Sequence, residues 1–217
     1  MSAKEITGNT LLFPVSEFRT PDTMDDETKI LEDEQFIEAN RLMSLNHVPK
    51  KDIAFVSLCT STRPYNKSPK WATFIKEFGD RCDMIVSSNG GVIPMKYWQS
   101  YPFMTYDAGE HILDDLYKEV LYNRWNTFFR ENRYKHILMN FKPHQRNYDP
   151  AMRVCKELLE DGMIESYVFL PDAEKYTEIL ENPHRRCFPD INPLSMEVLS
   201  EWITEKAGPK KVKGGLF

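Results

Sequence analysis

Short apolar runs alternate along this chain with stretches whose apolar residues recur at helical spacing. The run IAFVSL at 53–58 lacks the polar alternation of a half-exposed strand, so it predicts a strand covered on both faces. Further runs at 84–86, 135–141 and 166–170 predict additional strands. Between them, residues 69–78, 112–130, 150–159 and 173–180 predict helices, the first opened by Pro69 near its first turn. Strand and helix therefore alternate. That order predicts an α/β fold, a three-layer sandwich with a mostly parallel central sheet and helices on both faces.

Outside this centre the pattern changes. Residues 1–26 are polar, carry Pro14 and Pro21, and predict an N-terminal arm. Ile30, Leu31, Phe36, Ile37, Leu42 and Met43 predict an amphipathic helix running to about Leu45. A last helix is expected from Pro193, with Leu194, Met196, Val198, Leu199, Trp202 and Ile203 on its apolar side and Gly208-Pro209 as its stop. Residues 27–207 are thus read as a single α/β domain, and 208–217, rich in lysine and glycine, as a basic flexible tail.

Composition narrows the function classes. The chain has 217 residues, 41% of them hydrophobic, enough for one substantial core. A net charge of -5 argues against a broad basic surface for nonspecific nucleic-acid binding, but leaves room for a local basic groove. The cysteines at 59, 82, 155 and 187 form no C-x-x-C pair, and neither a signal peptide nor a long apolar span is apparent. A soluble, cytoplasmic protein with reduced thiols is expected, without a membrane partner. His184 and Cys187 lack a second pair to complete a metal site, so no metal and no redox cofactor is expected.

The segment Cys59-Thr60-Ser61-Thr62-Arg63-Pro64-Tyr65-Asn66-Lys67-Ser68 leaves the carboxyl end of the first strand, where open α/β sheets bind ligands. Cys59 is either a small buried hydrophobe or a nucleophile, with Arg63 and the helix start at Pro69 favouring a thiolate. Tyr65 can stack on a ring while Arg63 grips an anion. After the second strand, Ser87-Ser88-Asn89-Gly90-Gly91 offers small residues and backbone donors, or a plain turn. Asp107 can accept from a guanine-like edge or cap a helix. Lys142, His144 and Arg146 follow the third strand on the same rim, His144 as a proton donor and the two cations as phosphate contacts. Tyr97, Trp98 and Tyr101 are further candidates for substrate contact.

Read as C-x3-[K/R]-P-Y-x2-S, the first segment resembles the motif P-C-x3-K-P-Y-x2-S-x2-H of archaeosine synthase, which modifies a 7-cyano-7-deazaguanine base in archaeal tRNA. Cys59, Pro64, Tyr65 and Ser68 match; Leu58 stands for the leading proline, Arg63 for the lysine and Trp71 for the histidine. A second stretch, Val86-Ser87-Ser88-Asn89-Gly90-Gly91-Val92-Ile93-Pro94 followed by Tyr101-Pro102 and Tyr106-Asp107, is similar to that family's S-S-P-x-G-V-V-P and Y-P-x3-Y-D. The resemblance covers roughly residues 53 to 170, the family's core domain.

The resemblance implies a uracil-DNA-glycosylase-like α/β core and an enzyme acting on the 7-substituent of a 7-deazaguanine base in DNA or tRNA. Catalysis is expected from Cys59, Asp107 and His144. Substrate binding is expected from Arg63, Tyr65, Ser68, Ser87, Ser88, Asn89, Gly90, Gly91 and Tyr106, and phosphate contact from Lys142 and Arg146. Two reactions fit. A thiolate adds to a nitrile and an amine such as lysine then forms an amidine, or a 7-carboxy group is lost as carbon dioxide, with an acid protonating the ring and Trp71 keeping the pocket dry. The full archaeal enzyme also carries a transglycosylase-like domain and an RNA-binding C-terminal domain, whose patterns these residues do not show. Compact relatives are associated with modification of viral DNA. Two other classes stay open: a noncatalytic module that binds a modified base or nucleotide, and a glycosidic-bond enzyme such as a glycosylase or deoxyribosyltransferase.

Overall fold

In the computed structural model the described residues are 31, 33–62, 64–88, 90–100, 103, 114–143, 145–181 and 189–210. They form α1 (Glu34–Asn46), β1 (Ile53–Leu58), α2 (Pro69–Phe78), β2 (Cys82–Ser88), β3 (Gly91–Pro94), α3 (Asp114–Glu131), β4 (His136–Asn140), α4 (Tyr148–Glu160), β5 (Ser166–Phe169), α5 (Ala173–Glu181) and α6 (Pro193–Ala207), with short 3-10 turns at Tyr65–Lys67, Met95–Tyr97 and Pro189–Ile191.

The sheet order is β3-β2-β1-β4-β5, parallel except where β3 returns antiparallel to β2. The three-layer α/β expectation holds. The antiparallel β3 was not foreseen: Ser87 to Gly91 leads from strand to strand rather than into a helix. Gly91 makes the tight return possible with φ 117°. A Cβ there would also stand 2.2 Å from Asn40 Oδ1, so both conformation and space demand glycine.

Side-chain alternation along β1 fixes which layer each residue meets. Phe55 faces α2, its ring centroid 4.9 Å from Phe74 and 5.7 Å from Phe78. His136, paired with Ile53 on the same face, meets Trp202 of α6 edge-on at 6.3 Å, so α2 and α6 share a layer. The opposite face is covered by α1, α3 and α4, with Trp125 of α3 stacked on Phe141 at 5.6 Å. Helix α2 forms because Trp71, Phe74 and Phe78 recur on one buried side behind Pro69, and its end is marked by the Gly79 N–H bonding Ile75 O.

The domain edges differ in part from expectation. The arm 1–26 lies outside the described residues. The first residues of the proposed tail are docked: Gly208 ends α6 at φ 79°, its carbonyl accepts from Arg81 at 3.3 Å, and Lys210 Nζ donates to Lys76 O at 2.9 Å. Among the described residues no helix is long and apolar enough to cross a membrane.

One half-buried network ties the amino-terminal edge of the sheet to pH. His47 Nε2 lies 2.8 Å from the Tyr134 hydroxyl, which donates to Asp83 Oδ2 at 3.3 Å. Burial depresses His47 from its usual 6.5 to about 4, against an opposing pull from Asp83, so the folded state keeps this ring neutral. The unfolded chain takes up the proton first. Stability is therefore full above about pH 6.5 and declines as pH falls toward 4. An unscreened shift of this size corresponds to about 3 kcal/mol; the ring's partial solvent access reduces the expected loss to about 1–2 kcal/mol. Urea titrations across this interval should show that slope for the native chain and a flatter one for His47→Gln. Parallel slopes would refute the assignment.

Candidate active site at the switch of strand order

The chain moves from β1 to β2 through α2 on one face, then crosses to β4 on the other side of β1 through α3 on the opposite face. The carboxyl ends of β1 and β4 therefore part at a topological switch point, the crevice where open α/β sheets bind ligands. Cys59 follows β1 there, and Lys142 follows β4.

The backbone holds Cys59 in place. Its N–H donates to Ser87 O at 2.8 Å, extending the β1–β2 ladder by one residue. Alternation then puts its side chain on the face of Phe55 and Ser57, toward the start of α2. Cys59 is half-buried, whereas Cys82 and Cys155 are buried. Burial pushes the Cys82 thiol up to about 12 and raises Cys155 as well, which makes both inert core residues.

At the start of α2 stands Lys70, with a side chain only 6% exposed. Its ammonium donates to Leu58 O at 2.8 Å and pairs with Asp190 Oδ2 at 3.3 Å. Burial lowers the Lys70 amine from the usual lysine range, Asp190 and then Cys59 pull it back up, and Lys142 opposes them. Lys142 Nζ lies 3.8 Å from the other oxygen of Asp190. One carboxylate thus sits between two ammonium groups, and the more buried of these bonds the carbonyl of Leu58, the residue immediately before Cys59. A lysine in the first turn also opposes the helix dipole, and this first turn carries no acid to offset it.

Beneath the crevice a polar floor locks the strand ends together. Ser57 Oγ donates to Asn140 Oδ1 at 2.9 Å, and Asn140 Nδ2 donates to Leu170 O at 3.0 Å. Asn147 Nδ2 donates to Ser87 Oγ at 2.7 Å and receives the Tyr117 hydroxyl at 2.8 Å. These buried bonds consume side chains that would otherwise be orphaned, and they hold the ends of β1, β2 and β4 rigid. Along the same edge lies a groove of about 580 Å³, lined among others by Lys118, Arg146, Tyr148, Asp149, Phe169 and Asp172.

Several expected site residues have other tasks. Tyr65, expected to stack on a ligand, is fully buried and meets Trp98 edge-on at 5.7 Å. Tyr97 and Trp98 are likewise core, the Trp98 indole donating to Ile93 O at 2.9 Å. Ser68 is buried in the N-cap position of α2, without a side-chain cap bond. Ser87 belongs to the floor. Ser88 and Gly90 build the β2–β3 return, with the Gly90 N–H donating to Ser88 Oγ at 3.0 Å and Asn40 reaching over to Gly90 O at 2.7 Å. This return is packed under α1, so the reading of Ser88, Gly90 and Gly91 as open ligand-binding donors is corrected. Lys142, expected to touch phosphate, is engaged with Asp190, whereas Arg146 lies 5.1 Å over the Tyr117 ring and lines the groove.

Arg63, Asn89, Tyr101, Tyr106, Asp107 and His144 lie outside the described residues, as do His184 and Cys187. Among the described residues no group of three or more His, Cys, Asp or Glu is placed to hold a metal ion.

The sequence reading missed Lys70, Asp190, Asn140 and Asn147. Lys70 had a legible signal: with Phe74 and Phe78 it lies at successive four-residue steps on the buried side of α2, an odd place for a charge. Asp190 had none.

A family model described as a domain of unknown function (DUF5591) matches residues 35–181. No curated protein matches the chain. A solved structure titled "Crystal structure of AF0587, a protein of unknown function" is similar in fold, with a TM-score of 0.51 and 13% identity over 77% of this chain. The chain spans about half of that structure's length, 49%.

Proposed function

The chain belongs to the family described as a domain of unknown function (DUF5591), and from that premise we propose an enzyme that remodels the 7-substituent of a 7-deazaguanine base carried in nucleic acid. The observation that carries the reading is the half-buried Cys59 at the switch point, directly after the Leu58 carbonyl that the buried Lys70 ammonium bonds at 2.8 Å. A nucleophile beside a fixed cation in a crevice suits addition to an electrophilic carbon.

The sulfur of Cys59 adds to the nitrile carbon of a 7-cyano base, and the nitrile nitrogen takes a proton from water. The product is a covalent thioimide. An amine donor, such as free lysine, then adds to the same carbon and loses a proton; the carbon–sulfur bond breaks, and the thiolate leaves an amidine behind. The resemblance of the Cys59 to Ser68 segment to archaeosine synthase supports this order of events. The groove beside the crevice brings Arg146 and Lys118, the latter paired with Asp149 at 3.2 Å, into one lining with Tyr148 and Phe169, and suits a nucleic-acid strand entering from the β4–β5 side.

A second reaction draws on the charge count. Lys70 and Lys142 outnumber Asp190, and this surplus cation can receive the carboxylate of a 7-carboxy base. Decarboxylation breaks the ring–carboxylate bond, leaves the electron pair on the ring carbon and needs one proton there, which an ammonium can donate.

One assay separates these readings. DNA and tRNA carrying 7-cyano- or 7-carboxy-7-deazaguanine are incubated with the protein, with and without lysine, then digested to nucleosides for mass spectrometry. Amine-dependent loss of the cyano species is the expected result. Appearance of unsubstituted 7-deazaguanine selects decarboxylation, and free base selects a glycosidic enzyme. Both species intact in every mixture would reject the proposal and leave the binding module.

A further inference from the structure

We propose that Lys70 is a positioning residue that holds Cys59 as a thiolate, with Asp190 and Lys142 completing a charge relay across the switch point. The inference rests on reading Cys59 as the nucleophile of the proposed site. It adds the means by which a cysteine there is made reactive.

The argument starts from what is unfavourable. A lysine side chain buried to 6% exposure has lost most of its hydration, and one in the first turn of a helix faces the positive end of the helix dipole. Asp190 offsets part of this at 3.3 Å, but Asp190 also answers to Lys142 at 3.8 Å. Among the described residues two cations share this one carboxylate, which leaves one positive charge in excess there. Among the described residues, the charged and titratable groups that act on Lys70 are Asp190 from the turn before α6, Lys142 from the loop after β4, and Cys59 from the end of β1. Cys59 alone can supply the missing negative charge. The same interaction that favours the ammonium at 70 favours the thiolate at 59, since a pairwise Coulomb energy belongs to both partners. The free N–H groups at the start of α2 act in the same sense.

Leu58 O secures the geometry. It accepts from Lys70 Nζ at 2.8 Å and from Trp71 Nε1 at 3.2 Å, so two consecutive residues of α2 anchor the strand end immediately before the sulfur. Lys70 is thereby fixed relative to Cys59 by backbone as well as by charge.

The test reads Cys59 directly and needs no substrate. The full chain is alkylated with iodoacetamide between about pH 5 and pH 10, the sulfur displacing iodide, and the rate is read by mass spectrometry of the peptide that carries Cys59. The native protein should show a midpoint below the ordinary thiol value of about 8.5. Lys70→Met should slow alkylation near pH 6.5 by about ten-fold or more and converge with the native rate near pH 10, while Lys70→Arg should keep most of the acid-side reactivity. A native midpoint at or above 8.5, or a Lys70→Met profile that overlays the native one, overturns the inference. The native profile decides the matter if the variant does not fold. Low-pH alkylation with no turnover of either modified base would sink the proposed reaction and keep this inference; an ordinary thiol profile with turnover intact would do the reverse.

Discussion

Cys59→Ala is expected to abolish turnover of a 7-cyano-7-deazaguanine substrate, by about 10⁴-fold or more, the scale seen when a covalent nucleophile is removed. The sulfur is the atom that bonds the nitrile carbon; of the buried hydroxyls at the same strand ends, Ser57 is committed to Asn140 and Ser87 to Asn147. The fold should tolerate the change at modest cost, because Lys70 keeps Asp190 and Leu58 O as partners. Cys59 is half-buried and contributes its backbone N–H, not its sulfur, to the β1–β2 ladder. Two measurements check this. Intact-mass spectra of native protein mixed with the cyano substrate and no amine should show an adduct that Cys59→Ala lacks, while thermal unfolding of the two should agree within a few degrees. Full turnover by Cys59→Ala would exclude covalent catalysis through this sulfur.

The second large effect is on stability. Trp71→Ala should cost about 3–5 kcal/mol, the usual range for emptying a large aromatic site in a core. The Trp71 side chain is fully buried, 4.9 Å from Trp98, 5.7 Å from Phe74 and 6.4 Å from Phe55 by ring centroid. Each pair adds about 0.5–1.5 kcal/mol to the burial itself. The variant also strips one donor from Leu58 O. Urea unfolding with an unchanged slope and a lower midpoint is the expected record. A loss under about 1 kcal/mol would mean that the surroundings collapse into the gap. The archaeosine-synthase motif has histidine at this position. Here the indole is sealed in the core and reaches the crevice only through the backbone it holds, so this position supports the site rather than lining it.

The same residues show how much was legible beforehand. Four parallel strands announced themselves because strands covered on both faces must be short and apolar throughout, and 53–58 has no alternation to suggest anything else. Helix α2 was visible in Pro69 and the spacing of its aromatics. Strand β3 was not, because four residues ending in proline carry too little periodicity to register against a neighbouring glycine pair. In the site, Cys59 was legible as a strand-exit residue. Tyr65 and Trp98 were misread for a physical reason: an aromatic ring filling a core and one flooring a pocket have the same composition and local spacing, and only packing tells them apart. Lys142 was read as a rim cation since its loop is basic, yet its partner is set by a turn late in the chain.

Local pattern alone therefore determined the class of fold, the strand that leads to Cys59, and the sheet edge at which the chemistry is proposed. Periodicity is a property of neighbouring residues, and every one of those features depends on neighbours only. The tertiary structure decided which charges gather at the end of the strand before Cys59. Lys70, Asp190 and Lys142 come from three separate elements, and they converge only because the chain reverses its direction of travel across the sheet between β1 and β4. Crossover order is a global outcome of packing helices on both faces, so no stretch of sequence could announce that Asp190 and Lys142 would meet the Lys70 ammonium at the end of β1.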